Sequence, residues 1–79
     1  MYVYLLQSLS SPDQKYIGST RNLKKRLAMH NDGKSYHTAK FIPWELTNAI
    51  WFKNKAKAKE FEKYIKHGSG HAFARKHFW

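Results

Sequence analysis

Tyr2-Val3-Tyr4-Leu5-Leu6, then Tyr16-Ile17-Gly18, then Leu23, Arg26, Leu27 and His30 at helical spacing: this run over residues 2–30 decides the fold. Residues 2–7 have the aromatic and branched content of a strand. Gln7 to Gln14 is turn chemistry centred on Pro12-Asp13, and Lys15 to Gly18 reads as a second short strand, so an antiparallel hairpin is expected. Ser19 or Thr20 is placed to cap a helix by accepting from an unpaired backbone N–H. Leu23, Arg26, Leu27 and His30 then fall at i, i+3, i+4 and i+7, which is one face.

Outward from that run, Asn31-Asp32-Gly33 stops the helix and a polar loop continues to Lys40. Trp44 to Phe52 has a strand's composition, with Trp44, Leu46, Ile50 and Phe52 expected on one side and Asn48 interrupting it. Asn54 can cap a second helix whose inward stripe reads Ala58, Phe61, Glu62, Ile65. Gly68-Ser69-Gly70 is expected to end it, because glycine adopts the left-handed backbone of a helix C-terminus at little cost. A short terminal helix from His71 to Phe78 would pack through Phe73 and His77. The order β-β-α-β-α-α predicts a mixed α/β fold, a three-stranded sheet covered by helices. No repeat, low-complexity tract or linker divides the chain, so residues 1–79 are expected to form one domain.

Fifteen Lys and Arg against five Asp and Glu leave a net charge of +10. A polyanion is the matching partner, since each neutralised phosphate releases a counterion. Charge alone serves a solubilising surface equally well. With 42% hydrophobic and 16% aromatic residues the chain can form a compact core. The absence of cysteine excludes disulfides, thiolate zinc sites and a Cys nucleophile. The five histidines make no zinc pattern: Gly68-Ser69-Gly70 separates His67 from His71, and His77 is out of register with both. No apolar run approaches the ~20 residues of a membrane span, and the N-terminus lacks signal-peptide features, so a cytoplasmic location without membrane contact is expected.

Polar groups on otherwise apolar faces are the informative departures. A partly desolvated Arg26 suits stabilisation of charge at phosphorus, or its stem covers core while its head reaches water. His30 is a proton carrier or a histidine satisfied by backbone. Glu62 can hold a hard cation with water and phosphate completing the shell, or form an ordinary helical pair with Lys66. Tyr4 and Tyr16 are core aromatics, or phenols whose high ordinary pKa requires cations or a proton-accepting partner before they act as bases. Arg26 and His30 are the candidates for that help.

Together these segments resemble the GIY-YIG endonuclease domain, in particular its small stand-alone bacterial branch, and are similar to the nuclease domain of the bacterial excinuclease C subunit. Tyr2-Val3-Tyr4 occupies the first motif, with Tyr2 where glycine is usual, and Tyr16-Ile17-Gly18 the second. Arg26 stands eight residues past Gly18, His30 one turn later, and the segment from Ala58 through Glu62 and Gly70 to Phe73 matches the C-terminal helical pattern. The resemblance implies a central three-stranded antiparallel sheet and a metal-dependent DNA endonuclease. Its implied catalytic residues are Tyr4, Tyr16, Arg26, His30 and Glu62, with Glu62 holding one divalent metal, Mg²⁺ or alternatively Mn²⁺. It further implies one-step in-line attack by water on a DNA phosphodiester, Tyr4 orienting or deprotonating that water with His30, Tyr16 positioning water or phosphate, and Arg26 neutralising transition-state charge.

Substrate contacts are read from charge. Lys34, His37, Thr38 and Lys40 in the loop after the first helix are expected to grip backbone phosphates, with Lys24 and Lys25 extending the track. Lys53, Lys55, Lys57 and Lys59 are read as a solvated face. So short a chain is expected to cut structure-selectively or with weak sequence selectivity in DNA repair or processing, or with a targeting partner. It would act as a monomer or weak dimer, with RNA left open as a substrate. The alternative is a catalytically inactive nucleic-acid-binding module of the same fold.

Overall fold

The computed structural model describes residues 1–79. Strand β1 (Tyr2–Ser8) lies in the middle of the sheet, between β2 (Lys15–Thr20) and β3 (Trp44–Trp51), antiparallel to both. Its central place explains its composition: Val3, Tyr4, Leu5 and Leu6 are all buried, because helices cover both faces of the sheet. Val3 and Leu5 pack with Ile17 and Ile50 under helices α2 (Lys55–Lys66) and α3 (Gly68–His77). Tyr4 and Leu6 face the other way, onto Tyr16, Trp44, Leu46 and the α1 helix (Leu23–Asn31). The mixed α/β architecture and the order β-β-α-β-α-α are as the sequence implied.

Four local expectations are corrected. The α1 cap is Asn22, whose side chain accepts from Lys25 N–H at 3.0 Å; Thr20 still pairs with Tyr2 in the sheet, and its hydroxyl accepts from Asn22 N–H. In β3 the apolar residues do not share a side. Leu5 pairs with Asn48 but Leu6 with Leu46, so Thr47 is an extra residue, and this bulge sends Trp44 and Leu46 to the α1 face and Ile50 to the other. Asn48 accordingly faces the end of α3.

The glycine-rich segment does not delay the third helix either. Gly68 takes the left-handed backbone (φ 54°), and α3 starts there, running through Ser69 and Gly70. Gly70 is inside the helix because α3 passes so close to α2 that a Cβ would run into the Tyr64 carbonyl. Consequently Gly70, Ala74 and Phe78 are the inward residues of α3, whereas Phe73 is 41% exposed and rests on the His77 ring. The Asn54 cap and the stripe of α2 are as expected, with Ala58 and Ile65 fully buried. No helix is long and apolar enough to cross a membrane.

Candidate active site

The sheet register builds the centre of the site. Tyr4 pairs with Gly18, and a Cβ at position 18 would stand 2.6 Å from the Tyr4 hydroxyl oxygen, so this glycine is what admits the phenol. Tyr16 stacks on Tyr4 at 6.1 Å between ring centroids. From α1, His30 is fully buried, brings Nε2 to 3.0 Å from the Tyr4 hydroxyl, and sits 4.8 Å from the Tyr16 ring. Arg26, one turn earlier on the same face, lies beside Tyr4 and is half-buried. Four of the five expected catalytic side chains therefore converge.

Proton positions are set by the hydrogen-bond chain. His30 Nδ1 is 2.8 Å from Thr38 Oγ1, and that hydroxyl has the Ser35 carbonyl, at 3.4 Å, to donate to. Thr38 therefore accepts from Nδ1–H, Nε2 is left without a proton, and Tyr4 donates to it. Trp44 Nε1 donates to the Thr38 carbonyl (2.8 Å) and fixes that residue in place. The expectation that Thr38 grips DNA is thus wrong: it is 3% exposed and its hydroxyl is engaged inward.

Electrostatics match this assignment. Burial pushes the Tyr4 phenol up to about 12, Arg26 pulling it down and Tyr16 adding to the rise. Burial and then the Arg26 charge hold His30 below its ordinary value, so the imidazole is neutral at neutral pH.

Glu62 stands apart from the four, on the α2 side of the edge strand β2. Its Oε2 accepts from Lys66 at 2.8 Å, as the helical-pair reading had it, while Oε1 has Lys59 Nζ at 3.8 Å and no hydrogen-bond donor. The Ser19 hydroxyl accepts from Lys59 (2.8 Å), leaving its own proton free to turn toward the carboxylate. Burial would raise the Glu62 carboxyl, but Lys66, Ser19 and Lys59 together outweigh burial and keep it below its ordinary value. An ionised carboxylate with one buried oxygen lacking a donor fits a hard cation held mainly by water and phosphate. An all-protein cage is absent, since no group of three or more His, Cys, Asp or Glu forms.

Arg26 from the first group, and Ser19 and Lys59 from beside Glu62, line a groove of about 500 Å³ together with Lys25 from α1, Arg21 at the end of β2 and Lys55 from α2. Five cations and no acid line it, so it fits a phosphate chain. Lys25 is where the charge reading places it. Arg21, Lys55 and Lys59 escape that reading, although Lys55, Lys59, Glu62 and Lys66 recur at helical spacing along one edge of α2. Lys24, Lys34, His37 and Lys40 are exposed and lie outside this groove.

Comparison with known proteins adds a family. The model described as the GIY-YIG catalytic domain matches residues 1–75. The chain is similar to structure-specific endonuclease subunit SLX1 of Debaryomyces hansenii, 42% identical over an alignment of 72 residues that covers 82% of this chain and 21% of that protein. The subunit of the same name from Scheffersomyces stipitis is 40% identical over the same shares. UPF0213 protein YsiG of Lactococcus lactis is 39% identical over 67 residues, 84% of this chain and 62% of YsiG. The chain thus spans about a fifth of the length of the yeast relatives it matches. No solved structure gives a significant match.

Proposed function

The chain belongs to the GIY-YIG catalytic domain family, and from that premise we propose that it is a DNA endonuclease hydrolysing phosphodiester bonds in DNA repair or processing. The names of the yeast relatives support structure-selective cutting, and the word subunit in them supports a protein partner that targets it. A cytoplasmic location belongs to the same proposal. The observation that carries the reading is the buried chain Tyr4–His30–Thr38 beside Arg26, which lines a groove with four further cations.

A phosphodiester seated against Arg26 meets a guanidinium that is partly desolvated, where its pull on growing negative charge is strongest. Attacking water forms the new P–O bond while the bond to the leaving oxygen breaks. Its proton passes to the Tyr4 oxygen as the Tyr4 proton passes to His30 Nε2, and the leaving oxygen is protonated from solvent. This concerted transfer is what a phenol with a pKa near 12 requires, because the phenolate is scarcely populated at neutral pH. Burial and Arg26 oppose a charged His30 in the free protein, and the negative phosphate offsets Arg26 on arrival, so substrate makes the relay competent. Tyr16, stacked on Tyr4, positions water or phosphate. Glu62 would hold a divalent metal, Mg²⁺ or Mn²⁺, which supplies charge neutralisation at the leaving oxygen when bound.

The rival reading, a binding module without catalysis, draws on Lys59 and Lys66, which already neutralise Glu62. Plasmid nicking separates the two. Wild type should nick supercoiled or branched DNA with Mg²⁺ or Mn²⁺, and Arg26→Ala should lose about 100-fold or more, the scale of removing one charge-stabilising group. Binding without nicking by wild type on duplex, branched and single-stranded DNA would establish the binding module.

A further inference from the structure

A second groove, of about 580 Å³, opens on the other side of Tyr16. Its walls carry Lys15 and Tyr16 from β2, Lys66 from α2, and His71 and Arg75 from α3. Apart from Tyr16, and Lys66 through its pair with Glu62, none of these takes part in the chemistry described above. His71 and Arg75 are four apart, so the helix presents both on one face. The close approach of α3 to α2 at Gly70 is what brings that face over the β1–β2 turn. Asp13, at the rim, is the one acid. With Lys66 paired to Glu62, Lys15 and Arg75 against Asp13 leave the groove one net positive charge before His71 is counted.

The edge strand β2 connects the two grooves. Lys15, Tyr16 and Ile17 line the second, Ser19 and Thr20 the first, and Gly18, bare of side chain, lies between them at the Tyr4 hydroxyl. Four residues of strand span ~13 Å. A stacked nucleic-acid strand carries one phosphate per ~3.4 Å of axis, so this distance covers about four phosphates. We infer that the groove between the β1–β2 turn and α3 is a second phosphate-binding site, which holds the backbone of the cut DNA strand on the side of the scissile bond opposite Arg26. Lys15, Arg75 and His71 grip it there. The inference deepens the nuclease reading and rests on it for the direction of the strand.

The test is binding in EDTA, which needs no catalysis. Fluorescence anisotropy of a labelled duplex of about 20 base pairs, titrated with KCl, gives the slope of log K against log salt. The double variant Lys15→Ala/Arg75→Ala removes two phosphate contacts and should lower that slope by about 1.8, from roughly 0.9 per contact. Lys15→Arg/Arg75→Lys keeps the charges and should restore it, with circular dichroism verifying the fold of each. Lys53 and Lys63 are exposed and line neither groove, so Lys53→Ala/Lys63→Ala should leave the slope as in wild type. An unchanged slope in the first variant, or an equal drop in the control pair, overturns the site. A wild type that never nicks while the slopes differ as stated would defeat the nuclease reading and leave the groove standing.

Discussion

Replacing Thr38 by valine removes one oxygen and almost no volume, yet it should cost both stability and rate. Thr38 is the acceptor for His30 Nδ1–H, both groups are buried, and the Trp44 indole pins the Thr38 backbone so that no neighbour can substitute. Leaving that N–H without a partner costs about 1–3 kcal/mol. For a chain of this size each kcal/mol lowers Tm by roughly 4–8 °C, so a fall of roughly 4–24 °C is expected. The imidazole can escape by moving its proton to Nε2, but it then offers Tyr4 a donor where the relay needs an acceptor. Losing general acid–base assistance is worth about 10²–10⁴ in rate, so nicking should fall by about 100-fold or more. Thr38→Ser should recover both stability and rate. Thermal denaturation and plasmid nicking measure the two effects, and nitrogen chemical shifts of the His30 ring report the tautomer directly. A valine variant as stable and active as wild type, or a serine variant no better than valine, refutes the reasoning.

Gly18→Ala should abolish nicking and destabilise by roughly 1–3 kcal/mol, since a Cβ 2.6 Å from the Tyr4 oxygen must displace a phenol that is 1% exposed; urea denaturation measures the cost. The pH dependence has a definite sign at both ends. Tyr4 has a raised folded pKa, so its stabilisation is whole below its ordinary 10 and is lost as pH climbs toward about 12, a loss that Tyr4→Phe should remove. His30 has a lowered folded pKa, so stability declines as pH falls below 6.5, where the unfolded chain takes up the proton first. Urea midpoints at a series of pH values test both signs.

Much of this site is legible in the sequence because its residues repeat at the periods of the elements that carry them. Arg26 and His30 one turn apart, and Tyr16 two residues before Gly18, need only a helix and a paired strand to converge. The bulge at Thr47 is hidden because a period-two pattern contains no sign of an extra residue; only the pairing of β3 with β1 reveals it. Thr38 misleads because a loop residue flanked by His37 and Lys40 looks solvated, and its burial depends on Trp44 folding back over it. Lys55 and Lys59 read as a solvated face because the rest of the groove they line comes from α1 and β2, far along the chain; Ser19, which accepts from Lys59, is 40 residues away. The α3 start is equally hidden, because the glycine that permits left-handed backbone also permits a helix to restart at once when close packing at Gly70 favours it.

The most direct test of the central claim, that one site cuts DNA with Glu62 as its metal-holding carboxylate, is the nicking rate of wild type beside Glu62→Ala across a Mg²⁺ titration with an EDTA control. Wild-type nicking should rise with Mg²⁺ and stop in EDTA, and the variant should bind DNA but nick at least about 100-fold more slowly at every metal concentration. Equal rates for the two proteins would contradict the claim.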